Sequence, residues 1–357
     1  MKIIVTAGGQ GTKMWPYSRS EKPKQFQTII GDESSYEHNI NLLLQRFSPE
    51  DIFISTKRKF IKYVSEQSPQ IPLKNYIVEP DVAKDRGPGE GLAFLKLSIL
   101  FPDEPFFLVQ ADCYREPGEK FLDMIATAEQ LVTEHKQLVT GGIKATEPSI
   151  GVDYLQLGKS LGGGAYAIDQ FVFRKNTIKE TRELIQNFNV VTHCNHMCWY
   201  PEKILEAYKT YRPDWYEKLM EIKEVIGQPG EDEAIERIYN QMEKGPTEDV
   251  TTHVMNSGKA SVILLPYKWT DVGTWNSVYD FFADGTENYE DGTITTFDTT
   301  GTFIKTSSKT KLIAVAGVKD MVIVDTDDVL LVIPRDDIDK IKDIQTALAE
   351  QDKTTFL

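Results

Sequence analysis

Cysteine is scarce in this chain, with three thiols (Cys113, Cys194 and Cys198) among 357 residues and no Cys-x-x-Cys pair. That excludes a disulfide scaffold and a zinc ribbon and points to a reducing compartment. Also missing is any run of about 18 apolar residues, so no membrane span is expected. The opening Met1-Lys2-Ile3-Ile4-Val5-Thr6 lacks the apolar stretch of a signal peptide, and we expect a cytoplasmic protein with no membrane partner. Positive charge is in deficit: 40 Lys+Arg against 54 Asp+Glu leave −14, which would repel a polyphosphate backbone and disfavours a nucleic-acid partner. Low-complexity tracts and long repeats are absent too, and 40% hydrophobic composition suffices for a core, so disorder is not the theme.

Short β-branched or aromatic runs recur through the first half: Ile3–Val5, Asp51–Ser55, Tyr76–Glu79, Phe106–Gln110 and Gln137–Gly141. Helix-length stretches such as Tyr36–Gln45, Glu90–Leu100 and Lys120–Glu134 separate them. Alternating β and α elements predict an α/β fold, a mixed, mostly parallel sheet with helices on its faces. After about residue 285 the pattern changes to strand-like runs near Ile294, Thr302, Lys311, Met321 and Val329, 8 to 10 residues apart. This spacing predicts a β-rich annex. An amphipathic stretch from Ile338 to Leu348 reads as a closing helix. We therefore expect two domains, 1–284 and 285–357, with the boundary at Gly285-Thr286-Glu287-Asn288.

Gly8, Gly9 and Gly11 follow the first strand, where small residues let backbone N–H groups approach a phosphate and Lys13 adds a full charge. The loop fits neither the Walker nor the dinucleotide-binding fingerprint, which removes a nicotinamide-dependent oxidoreductase from consideration. It continues as Trp15-Pro16-Tyr17-Ser18-Arg19-Ser20-Glu21-Lys22-Pro23-Lys24-Gln25-Phe26, a proline-punctuated segment whose cations suit a polyanion.

This segment closely resembles the opening signature of the sugar-1-phosphate nucleotidylyltransferases, in the mannose-1-phosphate guanylyltransferase branch: Gly-Gly-x-Gly-Thr-Arg-Leu-Trp-Pro-x-Ser-Arg, then Pro-Lys-Gln-Phe. The family arginine is here Lys13. Trp269-Thr270-Asp271-Val272-Gly273-Thr274-Trp275 is nearly identical to the family's Trp-x-Asp-Val-Gly-Ser-Trp, and Val109-Gln110-Ala111-Asp112-Cys113 is similar to its strand ending in Ala-Asp-His. The resemblance implies a Rossmann-like nucleotidyltransferase domain and a left-handed β-helix-like annex used for packing and homodimer formation. It implies Asp112 and Asp271 as ligands of Mg2+, whereas their ordinary reading would be helix caps. It implies nucleotide contacts at Ala7, Gly8, Gly9, Gly11, Thr12, Lys13, Glu79 and Pro88. Of these, Glu79 and Pro88 fall where the family's base-side segment lies, with Arg86 in place of its threonine.

On the sugar side the likeness implies Gly151, Arg174 and Asn195, with Lys175 at the sugar phosphate. Arg174 stands where the family has glutamate and Asp153 where it has a second glycine. An acceptor with an added acidic group that Arg174 could pair, or a heptose-1-phosphate, is one expectation from these changes. His193, Cys194, His196 and Cys198 alternate as on a strand and match no recognised ligand spacing, so a metal reading is set aside.

The implied reaction is attack of a sugar-1-phosphate oxygen on the α-phosphorus of GTP, with loss of pyrophosphate. Lys13, Lys24 and Lys175 would stabilise charge as it develops. The alternative is a non-catalytic homologue that binds a nucleotide sugar and regulates or scaffolds another enzyme.

Overall fold

Strand-forming runs flanked by glycine, proline and acidic residues set the framework. In chain order the strands are β1 (Lys2–Thr6), β2 (Ile52–Lys57), β3 (Tyr76–Glu79), β4 (Phe106–Gln110), β5 (Cys113–Glu116), β6 (Leu138–Lys144), β7 (Tyr154–Gly162), β8 (Ala165–Val172), β9 (Val190–His193), β10 (Met197–Trp199), β11 (Ala260–Leu264), β12 (Lys268–Asp271), β13 (Tyr289–Asp291), β14 (Ile294–Phe297), β15 (Phe303–Thr306), β16 (Ile313–Ala316), β17 (Met321–Asp325) and β18 (Leu330–Pro334). The computed structural model describes residues 1–357 apart from Gln10, Asp284 and Thr286 and the side chain of Thr12.

The chain forms two compact units, neither continuous in sequence. The first comprises Met1–Gly8, Leu43–Gln110 and Pro117–Tyr267; the second comprises Gly9–Leu42, Ala111–Glu116 and Lys268–Leu357. This division differs from the expected cut between 284 and 285, whose flanking Asp284 and Thr286 lie outside the described residues. The reason is a shared apolar core in the second unit, where Met14, Trp15 and Ile29 pack with Val272, Trp275 and Val278 and with Phe303, Val322 and Leu331 of the annex. Burying such side chains is worth about 1.5–3 kcal/mol each, so these segments fold as one body.

In the first unit a ten-stranded sheet runs β11-β8-β7-β9-β6-β10-β4-β1-β2-β3. Its β3-β2-β1-β4 side is parallel, and Ile3, Ile4 and Val5 are buried, as strands covered on both faces require. The expectation of a mostly parallel sheet holds only there and for β6–β11; the remaining pairings, such as β7–β8 and β10–β4, are antiparallel. The cause is local. Gly162, Gly163 and Gly164 all have positive φ (89°, 58° and 81°), so β7 turns straight back into β8 without a helical crossover.

In the second unit β5 and β12 form an antiparallel pair. The annex stacks β13, β15 and β17 in parallel register, with β14 beside β16, from successive turns of chain with no helix between them. Left-handed corners at Gly301 (φ 65°) and Gly317 (φ 70°) turn the coil. The antiparallel β18 ends it, and the closing helix occupies Ile341–Glu350 after a tighter 3-10 turn over Arg335–Lys340. Among the described residues no helix is long and apolar enough to cross a membrane.

Candidate active site

Asp112 and Asp271 are brought side by side by the β5–β12 ladder of the second unit. Asp271 pairs with Cys113, and the next N–H, that of Val272, donates to the Asp112 carbonyl at 2.9 Å. Neither carboxylate caps a helix. After Asp112 the chain enters β5, not a helix, and the helix Trp275–Phe282 is capped by Thr274 with Ser277 in a reciprocal box. Gly273 keeps the turn open, since a Cβ there would stand 2.9 Å from Asp271 Oδ2.

Lys24 reaches this pair from a buried position, its Nζ 2.8 Å from Asp112 Oδ2 and donating to the Val272 carbonyl at 2.7 Å. Burial works against a charged ammonium, but Asp112, with Asp271 behind it, outweighs that and raises the Lys24 pKa. Burial likewise opposes ionisation of Asp112, yet the Lys24 ammonium and its hydrogen bond hold this carboxyl below the usual range. Asp271 behaves oppositely. Desolvation among its neighbours pushes it up, and the Asp112 charge adds to the rise against partial relief from Lys24. The Cys113 thiol is raised by burial and by Asp112 and stays protonated.

Gly11 belongs to the same cluster. Its φ is 62°, and a Cβ would run into the Lys24 stem, so both backbone conformation and packing require glycine. Gln25 Nε2 donates to the Gly9 carbonyl at 2.9 Å, tying the glycine loop to the Pro-Lys-Gln-Phe segment. Gly11, Lys13, Lys24, Asp271, Gly273, Thr274 and Ser277 line one open cleft. Lys13 is exposed there, its side chain 3.8 Å from Asp339. Arg19 turns elsewhere: its fork holds Asp328 at 2.8 and 3.2 Å, so it is a structural cation and not part of the cleft's charge. The Thr12 side chain lies outside the described residues.

The donor set fits a small hard divalent ion of the kind that takes one or two carboxylates and completes its shell with water and substrate phosphates. Among the described residues no three or more His, Cys, Asp or Glu side chains gather to hold a metal alone.

In the first unit, Ala7, Gly8, Glu79 and Pro88 meet at the ends of β1 and β3 and the start of the helix Arg86–Leu100. The Ala7 N–H donates to Ser55 O at 2.8 Å. A Cβ on Gly8 would approach Glu79 Oε1 to 3.3 Å, and one on Gly89 would stand 2.6 Å from Oε2. Burial raises the Glu79 carboxyl, although hydrogen bonds from Ser55 (3.1 Å) and Tyr239 (3.3 Å) partly offset it. Arg86 ties two helices together, donating to Glu90 and Glu248 at 2.8 Å each.

A cavity of about 820 Å³ in this unit is lined by Arg86, Asp153, Arg174, Asn195, Arg212 and Glu248, among others. Gly151 and Arg174 touch, with Arg174 Nη1 3.4 Å from the Gly151 carbonyl. Arg174 does not offer its fork to a ligand, however. It grips Asp153 through Nε (3.1 Å) and Nη2 (2.9 Å), while its own N–H donates to Asp153 Oδ1 at 2.9 Å. The acidic-sugar expectation is thereby corrected: the partner of Arg174 is within the chain. Lys175 is half-buried and has no ion-pair partner among the described residues.

Glu248, Arg212 and Gly89 were not singled out by the sequence. Only the capping signal before Glu248 and the proximity of Gly89 to Pro88 hint at them. His193 and His196 are core residues, hydrogen-bonded to Thr140 (3.0 Å) and Tyr267 (2.9 Å).

The nucleotidyl transferase family model matches residues 2–173, and the model of the MannoseP isomerase/GMP-like beta-helix domain matches 292–348. Nucleotidyltransferases generally use a divalent metal. An Escherichia coli mannose-1-phosphate guanylyltransferase is 30% identical over 353 residues, spanning 96% of this chain and 74% of its own length. One from Salmonella muenchen is 29% identical, spanning 96% and 72%. A crystal structure from Thermus thermophilus, described as a mannose-1-phosphate geranyltransferase, superposes with a TM-score of 0.85 at 23% identity, covering 98% of this chain and 99% of that one. With a retained glycine loop, a paired set of carboxylates and a relative this similar along nearly its whole length, the chain belongs to the mannose-1-phosphate guanylyltransferase family.

Proposed function

We propose that the protein transfers GMP from GTP to mannose-1-phosphate, or a closely related sugar-1-phosphate, in the cytoplasm, forming a GDP-sugar and pyrophosphate. The observation that carries this reading is the meeting of Asp112, Asp271 and Lys24 on the wall that Gly11 and Lys13 also line. In-line displacement at phosphorus needs no protein nucleophile, so positioning and charge neutralisation must supply the rate. Mg2+, held by Asp112 and Asp271, would act as a Lewis acid on the phosphates. Lys24 keeps its proton and offsets charge beside these carboxylates, and Lys13 meets the departing pyrophosphate. Backbone N–H groups at Gly9 and Gly11 serve the phosphates, Ala7, Gly8, Glu79 and Pro88 serve the base, and Lys175 serves the sugar phosphate, with Gly151 and Asn195 at the sugar.

A panel of sugar-1-phosphates against the four triphosphates, read by pyrophosphate release with and without Mg2+, tests this. Turnover with GTP and mannose-1-phosphate that vanishes without the metal is the expected result. Nucleotide binding without turnover would select the non-catalytic reading. We also propose a homodimer formed through the annex, where Leu330 and Val332 lie exposed on the edge strand β18. A monomer in sedimentation at working concentration would remove it.

A further inference from the structure

We propose that Asp153 is the sugar-hydroxyl acceptor of this chain and that Arg174 is the residue that positions it. The proposal rests on the sugar-1-phosphate reading above. Residues 153 and 174 bracket the β7–β8 hairpin, in which Tyr154 faces Val172, so the two ends meet by register. The Asp153 carbonyl also accepts from the His193 N–H at 2.9 Å, which pins this position to β9. Three donors from one residue then fix the carboxylate: the Arg174 N–H and Nε on Oδ1, and Nη2 on Oδ2. A carboxylate offers about four acceptor positions, which leaves Oδ2 able to accept one more hydrogen bond.

Stability does not account for the arrangement. The Arg174 side chain is 58% exposed, and exposed ion pairs contribute only about 0–1 kcal/mol. What a bidentate fork adds is direction. Asp153 itself is only 15% exposed, on the wall of the cavity that Asn195 shares. Among the described residues the Asn195 side-chain amide has no protein hydrogen bond, while the Asn195 backbone carbonyl accepts from Gln110 Nε2 at 2.6 Å and the residue's φ is 53°. The arginines Arg86 and Arg212 of the wall are engaged, Arg86 by Glu90 and Glu248 and Arg212 by Asp214 and Asp249. A wall whose guanidinium groups are already engaged by internal carboxylates, with spare carboxylate and amide acceptors, takes hydroxyl donors on a neutral ring, not a second anion.

Steady-state kinetics of the full chain with GTP, Mg2+ and varied mannose-1-phosphate tests this. Asp153→Asn should raise the sugar-phosphate KM about 10- to 100-fold, the range of a lost hydrogen bond to a charged group, while the KM for GTP moves less than about twofold. Arg174→Ala should raise the sugar-phosphate KM less, with Arg174→Lys recovering part of the loss. Across deoxy-mannose-1-phosphates, one position should be penalised in the wild type and unpenalised in Asp153→Asn. The proposal falls if Asp153→Asn leaves the sugar-phosphate KM within about twofold, if every deoxy penalty persists, or if this variant loses GTP binding, which would make the pair a folding element. An inactive wild type would instead defeat the transferase reading itself.

Discussion

Charge is handled in different ways in the two units. In the second unit, two carboxylates share one buried ammonium, and Asp271 is left with a raised pKa and no ion-pair partner among the described residues. In the first unit the cations Arg86, Arg174 and Arg212 are each held by internal carboxylates. A carboxylate left without an ion-pair partner beside a cleft is costly unless a cation arrives to use it, whereas a carboxylate held by a guanidinium group can present a fixed acceptor to a neutral ligand at little cost. The contrast supports our proposal of metal and phosphate chemistry in the second unit and sugar recognition in the first.

The sharpest way to break that contrast is Asp271→Asn. Removing this preorganised charge should lower kcat by about 10² or more while the melting temperature does not fall, because the carboxylate has no ion-pair partner among the described residues to lose. Chelation of divalent metal should abolish wild-type turnover to a similar level, read by pyrophosphate release. If Asp271→Asn retained near-normal kcat, the surplus carboxylate would have no catalytic meaning, and the two regions would no longer differ in kind.

Gly11→Ala sharpens the same comparison with a smaller effect. A left-handed backbone costs a non-glycine residue about 1–3 kcal/mol, and here the added methyl also meets Lys24. We expect a lower melting temperature together with a fall in kcat of about tenfold, as Lys24 shifts from Asp112. Gly9→Ala, which adds a Cβ with nothing within 4 Å, should leave the melting temperature unchanged. Equal melting temperatures for the two variants would show that the Lys24 stem is not held as described.

The residues proposed for catalysis were legible because they sit in contiguous strings: the glycine loop, Gln110-Ala111-Asp112 and Trp269–Trp275 each carry their signal locally. The pair proposed for sugar recognition was not. Asp153 and Arg174 read separately as departures, and only the strand register of a hairpin closed by three left-handed glycines turns them into one paired device. Arg19 illustrates the converse, since its place in a cationic loop suggested phosphate, while its partner Asp328 lies 309 positions away. The parallel half of the sheet followed from alternating βα runs. The antiparallel strands and the discontinuous second unit did not, because they depend on long-range packing such as that of Met14 and Trp15 with annex side chains. The helix-cap alternative for Asp112 stood only while β5, which follows it directly, was unseen.

Beside the recognition cavity, His193 provides a pH test of intermediate size. Burial, aided by Arg86, lowers its pKa from 6.5 to about 4 against opposition from Glu248 and Asp153. The unfolded chain therefore takes up this proton first. The contribution is fully present above pH 6.5 and is lost as pH falls toward 4. With about 1.4 kcal/mol per unit as the ceiling, we expect roughly 1–2 kcal/mol of this acid loss to come from His193. His193→Gln should flatten the slope of unfolding free energy against pH in that window, measured by denaturant titration. An unchanged slope would mean the ring is not held neutral.

The smallest effect belongs to Arg19→Ala, which asks whether every cation of the loop serves phosphate. Arg19 is spent on Asp328 and on the Pro16 carbonyl at 2.7 Å, within the second unit's own packing. Its loss should cost about 0.5–1 kcal/mol of stability, as a well-formed but partly exposed ion pair does, with the KM for GTP unchanged. A raised KM for GTP at unchanged stability would add Arg19 to the cations proposed to meet phosphate, and that set in this unit would then extend beyond Lys13 and Lys24.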